Sequence, residues 1–198
     1  MMETVAMLKR ALNAAGKVLR WGQGIQEPAR LDFIKDLHAI CLKCEAAYET
    51  VLLRLVPVKN AFGDPDKLAG ELRILAADST TRSAFKPEHL CGEVDVLLSR
   101  LESHLDPLKY SLDVNRLRAI REHLRNFGNF DAALYESYDA FVRSLDDIAT
   151  QIQTGGPDRQ ERASYVRTAV REFELELQSA IEDIRATKDA IICGDARD

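Results

Sequence analysis

The chain has 198 residues, with 46% hydrophobic and 30% charged side chains, and 27 Lys and Arg against 32 Asp and Glu for a formal charge of -5. That apolar share excludes an intrinsically disordered chain, which would carry fewer apolar residues and a larger net charge. The acidic balance speaks against a protein that coats nucleic acid, although it leaves room for a local basic face. No apolar run is long enough to span a bilayer, so no membrane segment is expected. The N-terminal stretch MMETVAMLKRALNAAGKVLR is punctuated by charge and lacks the unbroken apolar core of a signal peptide. The four cysteines are dispersed, too few to staple a domain of this size, and read as reduced thiols of a cytoplasmic protein.

Glycine and proline fall at punctuating positions, and no segment alternates apolar and polar residues as a strand would. A first helix is expected over about 3–20, with Val5, Leu8, Leu12, Ala15 and Leu19 on one stripe, ending in WGQGIQEP. A second runs from about Pro28 to Val56 and is expected to stop at Pro57. Its inner stripe is Ile34, Leu37, Cys41, Cys44, Tyr48, Val51 and Leu55, in steps of three and four that keep one seam facing a partner. Asp64-Pro65-Asp66 opens a third with an N-cap and a proline at the first helical position, and Leu68, Leu72 and Leu75 line it.

A fourth helix is expected from near Pro87 to about Asp106-Pro107, presenting Leu90, Val94, Leu97 and Leu101, with His104 read as a core residue between Leu101 and Leu108. The fifth, at roughly 112–127, presents Val114, Leu117, Ile120, Leu124 and Phe127. The sixth, at roughly 130–153, presents Leu134, Tyr138, Phe141, Leu145, Ile148 and Ile152. The last, at about 158–192, turns Val166, Val170, Phe173, Leu177, Ile184 and Ile191 inward. At 1.5 Å per residue the second and last helices reach roughly 40 and 50 Å. Short connections between such rods predict an all-α, elongated antiparallel bundle of six to seven helices with coiled-coil-like packing and no sheet. The expected organisation is one domain over 1–198, with an N-terminal helix to residue 24, a main bundle over 28–192 and a tail over 193–198.

The most chemical-looking segment is HAICLKC, with His38, Cys41 and Cys44 on the second helix. A zinc site needs ligands converging at about 2.0–2.3 Å from the ion. His38 and Cys44 stand roughly 9 Å apart along the axis, and helical side chains lean towards the N-terminus, so the three do not converge. A pair of them with His89 or Cys91 from the fourth helix is the alternative metal or thiol site. A redox CxxC belongs at a helix N-terminus, whereas these cysteines fall about ten residues inside a helix. Both occupy the inner seam, where free cysteine packs as a small apolar residue.

The fifth helix carries RLRAIREHLR, in which Arg118, Arg121 and Arg125 share a face of about 60°. With Lys109 they form a candidate surface for phosphate, RNA or an acidic partner helix; the plainer reading pairs them with carboxylates of neighbouring helices. Glu172, Glu176 and Asp183 on the last helix read as a solvent-facing acidic stripe, with Glu174 closer to the seam. Glu-x-x-His spacing, nucleophile elbows, P-loops and dinucleotide fingerprints do not occur. Trp21, Phe127 and Phe130 read as plugs at the bundle ends. The expectation is a non-catalytic interaction module with a protein partner, capable of homo-oligomerisation, without nucleic acid or membrane attachment and with no cofactor.

Overall fold

The computed structural model describes residues 2–21, 25–78, 90–106, 108–126 and 130–195. Within the helices, the side chains at 2–8, 20–21, 90–91, 123–126, 130–139, 141–142 and 192–195 fall outside that description. Seven helices occur and no strand among the described residues: α1 Met2–Trp21, α2 Glu27–Asn60, α3 Pro65–Ala77, α4 Leu90–His104, α5 Ser111–Asn126, α6 Phe130–Gln153 and α7 Arg159–Asp195. No described helix is long and apolar enough to cross a membrane.

α2 and α7 are the axles of the molecule, about 50 and 55 Å long at 1.5 Å per residue. They run antiparallel, as Glu45 meets Arg185 and Lys188 while Lys59 meets Glu174 further along. Around one half of this pair sit α1, α4 and α5; around the other sit α3 and α6. α1 runs parallel to α7, since Lys9 pairs with Asp183 and Asn13 with Thr187. Gly16 lets the two come close: a β-carbon there would stand 3.1 Å from the Thr187 methyl. α4 is antiparallel to α2, and α5 to α4.

The buried seams are those that the three-and-four spacing selects. Leu37, Cys41, Cys44, Tyr48, Val51 and Leu55 of α2 and Val166, Val170, Phe173, Leu177, Ile184 and Ile191 of α7 lie in one contiguous apolar core, with Ile34 at its margin. Leu12, Ala15 and Leu19 of α1 belong to it, as do Leu68, Leu72, Leu75, Val94, Leu97, Leu101, Val114, Leu117, Leu145 and Ile152. Val5, Leu8, Trp21, Leu90, Leu124, Phe127, Phe130, Leu134, Tyr138 and Phe141, expected on seams or as plugs, lie outside the described side chains, as does the DSTTRS stretch beyond Asp78. Asp64 caps α3 as its sequence implies, its carboxylate accepting from the N–H groups of Asp66 at 3.0 Å and Lys67 at 3.3 Å.

Three boundaries differ from the expectation. Pro57 does not stop α2, which continues to Asn60. Proline removes one i→i-4 bond, but Pro57 faces solvent and the carbonyl it leaves belongs to Leu53 on the same outer face. Burial of Val58 and Ala61 rewards the extra turn. α4 ends at His104, so the inner position after Leu101 is taken by Leu105; His104 and Leu108 are exposed. His104 instead sets its ring nitrogen 2.9 Å from the Arg100 carbonyl and its edge against Phe33. α7 extends to Asp195, three residues into the expected tail.

Candidate functional site

Cys41 and Cys44 are free thiols with no exposed surface. Burial pushes Cys41 up to about 11, with Lys188 opposing and Glu45 adding to the shift. Burial likewise pushes Cys44 up to about 12, reinforced by Cys41 and Glu93 and opposed by Lys43. Both therefore carry their protons at neutral pH, and a thiol, unlike a thiolate, is neither a good nucleophile nor a metal ligand. His38 is half-buried on the same helix. Among the described residues no three of His, Cys, Asp and Glu come together to hold a metal ion; His89 and the Cys91 side chain lie outside the described residues.

The α5 arginines turn towards α4. Arg121 donates to Asp95 at 2.9 Å and to Glu102 at 2.6 Å, and its side chain is 14% exposed. Arg118 donates to the other oxygen of Glu102 at 2.6 Å and remains largely in solvent. Burial works against ionising Glu102, yet the hydrogen bonds from Arg118 and Arg121 hold its carboxyl below the usual range. Burial similarly opposes charge on Arg121, and its bonds to Asp95 and Glu102 outweigh it and raise its affinity for the proton. Lys109 is exposed on the turn between α4 and α5, and the Arg125 side chain lies outside the described residues. The face is thus partly engaged within the fold: Asp95 and Glu102, seven residues apart on α4, are the carboxylates that meet it.

On α7, Glu172 is exposed as expected of an acidic stripe. Glu176 and Asp183 are half-buried, and Asp183 pairs with Lys9 of α1. Glu174 is partly buried and accepts from Lys59 at 2.5 Å.

A different feature stands out between α2 and α4. Here a groove of about 530 Å³ is lined by Asp36, Ala39, Ile40 and Lys43 from α2 and by Gly92, Glu93, Val96, Leu97 and Arg100 from α4. Its floor is apolar. Its two ends are closed by ion pairs between the helices, Arg100 to Asp36 at 2.5 Å and Lys43 to Glu93 at 2.6 Å. Arg100 is further seated over the Phe33 ring, 4.9 Å from its centroid. Val96 in the lining is 56% exposed, and Leu42, next in sequence to the lining residue Lys43, is 45% exposed, so apolar surface is open to a partner on this side of the molecule. A signal for the groove exists in the sequence: Asp36-x-x-Ala39-Ile40-x-x-Lys43 and Glu93-x-x-Val96-Leu97-x-x-Arg100 repeat one pattern of acid, small or branched residue, large aliphatic and base.

In comparisons with protein-family models, with curated proteins and with solved structures, nothing matches this chain.

Proposed function

We propose that the chain is a non-catalytic cytoplasmic interaction module, folded as a single domain, whose working surface is the α2–α4 groove. The observation that carries this reading is the open apolar floor between two interhelical ion pairs, a concave surface fixed by rigid helices. Its aliphatic lining, with two acids and two bases at the margins, suits a protein surface better than a polyanion. A partner would bury Val96 and Ala39 at the centre and meet charge at the rim, the usual anatomy of a protein interface. The protonated, buried thiols support a packing role for Cys41 and Cys44 and suit a reducing compartment.

A photo-crosslinking amino acid placed at position 96 tests the site, with position 165 on the exposed surface of α7 as control. Discrete cross-linked protein from 96 and none from 165 is the expected result. Equal labelling from both positions, or none from either, refutes the groove as the working surface. The second reading puts an acidic partner on Arg118 and Lys109, favoured by the exposure of both; a cross-link from 109 that survives Val96→Glu would select it.

A further inference from the structure

We propose that the occupant of the α2–α4 groove is the same face of a second copy of this chain, forming a two-fold dimer whose axis runs parallel to the two helices. This rests on the reading of the groove as the working surface and adds the identity of the partner.

The argument begins with charge. α2 carries Asp36 and then Lys43, and α4 carries Glu93 and then Arg100, each acid seven residues before its base. Because the helices are antiparallel, acid and base alternate around the rim: Asp36 beside Arg100 at one end, Lys43 beside Glu93 at the other. The two ends are about 10 Å apart at 1.5 Å per residue. Rotation about an axis along the groove exchanges the α2 side for the α4 side and leaves each end where it was. Asp36 then faces Arg100 of the partner subunit, and Lys43 faces Glu93 of the partner subunit. Both ends bring opposite charges together, so this rim is complementary to itself, as an isologous interface requires.

Shape agrees with charge. The same rotation lays α2 of one copy over α4 of the other. Val96, more than half exposed on α4, then stands over the small Ala39, less than one helical turn away in height. Leu42, the exposed aliphatic of α2, comes over Gly92, where a β-carbon would meet nothing within 4 Å. Each copy therefore supplies one aliphatic knob and one small residue to each half of the contact, and the contact is made twice.

Sedimentation equilibrium and native mass spectrometry on the purified full chain test the proposal. The wild-type chain is expected to be dimeric at micromolar concentration. Val96→Glu, at an exposed position that leaves far-UV helicity unchanged, is expected to raise the dimer dissociation constant at least about tenfold. Exchange of one rim pair, Lys43→Glu with Glu93→Lys, keeps the ion pair within each copy. The exchanged chain is expected to dimerise with itself and to mix with isotope-labelled wild type at least about tenfold more weakly.

A wild-type chain monomeric at several hundred micromolar overturns the dimer. So does a dimer indifferent to Val96→Glu, which would use another face, and an exchanged chain that is monomeric, which would contradict the axis. A monomeric chain that still cross-links a different protein from position 96 refutes the second copy while leaving the groove a binding surface; a monomer that cross-links nothing refutes both.

Discussion

The two halves of the bundle share α2 and α7 yet are held together differently. In the half built with α3 and α6, each of these helices is joined to one of the two axles by a short turn, although α3 and α6 themselves meet across two intervening helices. α3 follows α2 after a turn over 61–64, and α7 follows α6 after a turn over 154–158, where Gly155 adopts a φ of 73°. Small side chains fill contacts in both halves: Ala61, Ala69, Ala149 and Ala163 are buried here, and Ala11, Ala14 and Ala15 on α1. In the half built with α1, α4 and α5, α1 must find the end of α7 from the far end of the chain. Ionic and polar contacts there cluster on a few residues. Glu45 accepts from both Arg185 and Lys188, Glu102 from both Arg118 and Arg121, and Asn13 meets Thr187. Ion pairs mark the other half too, Lys59 with Glu174, Arg73 with Asp146 and Arg159 with Asp66, and α4 and α5 carry theirs although a short turn joins them. The comparison teaches that the halves differ in how the pairs are made: Glu45 and Glu102, in the half built with α1, α4 and α5, are each shared by two cations.

The sharpest way to break this picture is to weaken each half separately. Leu72→Ala in α3 and Leu101→Ala in α4 both delete fully buried leucines, and each is expected to cost about 2–5 kcal/mol. Because α2 and α7 run through both halves, urea unfolding followed by circular dichroism should remain a single transition in either variant. Two separated steps would mean that the halves are independent units.

Removing a shared carboxylate comes next in size. Glu45→Gln leaves Lys188, itself mostly buried, without its charged partner. The expected loss is about 1.5–3 kcal/mol, the range for hydrogen bonds to charged groups. Asp64→Ala, in the other half, should cost about 1 kcal/mol through the lost cap. If the cap proved the costlier of the two in denaturant titration, the contrast between the halves would fail.

Acidity sharpens it further. Hydrogen bonds from Lys188 and then Arg185 hold the Glu45 carboxyl below the usual range, and Glu102 is lowered likewise. A lowered folded pKa means that the unfolded chain binds the proton more tightly. This stability is present above the ordinary carboxylate value near 4.5 and fades as pH falls through the folded values. Thermal melts between pH 6 and 3 should show a steeper loss for the wild type than for Glu45→Gln.

The thiols give the opposite sign. Raised from about 9 to about 11 and about 12, they contribute fully below pH 9 and progressively less as pH rises towards those values. Cys41→Ala with Cys44→Ala should flatten the alkaline arm of the stability profile, the smallest of these effects to resolve above the titration of lysine and tyrosine.

Most of the fold was legible because a helix writes its buried face into the spacing of its apolar residues, and because Gly155, Gly156, Pro65 and Asp64 sit where helices begin or end. The misreadings have physical causes. Pro57 is a breaker only when the lost bond is not compensated, and burial of Val58 and Ala61 beyond it compensates. His104 looked internal because the stripe was continued past the end of α4, where Leu105 takes the inner place. The site was harder to see. Arg118, Arg121 and Arg125 share a helical face by spacing alone, but the engagement of Arg118 and Arg121 by Asp95 and Glu102 is a property of how α4 meets α5. Asp36, Lys43, Glu93 and Arg100 are ordinary surface residues until antiparallel packing sets them around one groove.

The burial of Cys41 and Cys44 also gives the molecule an internal clock. Neither thiol has exposed surface, so an alkylating reagent reaches them only when α2 leaves its neighbours. In excess reagent at neutral pH, the rate of modification counts openings of the shared helix, the motion on which both halves depend. No probe need be introduced, and mass spectrometry would tell whether the two positions, a single turn apart, become accessible in the same event.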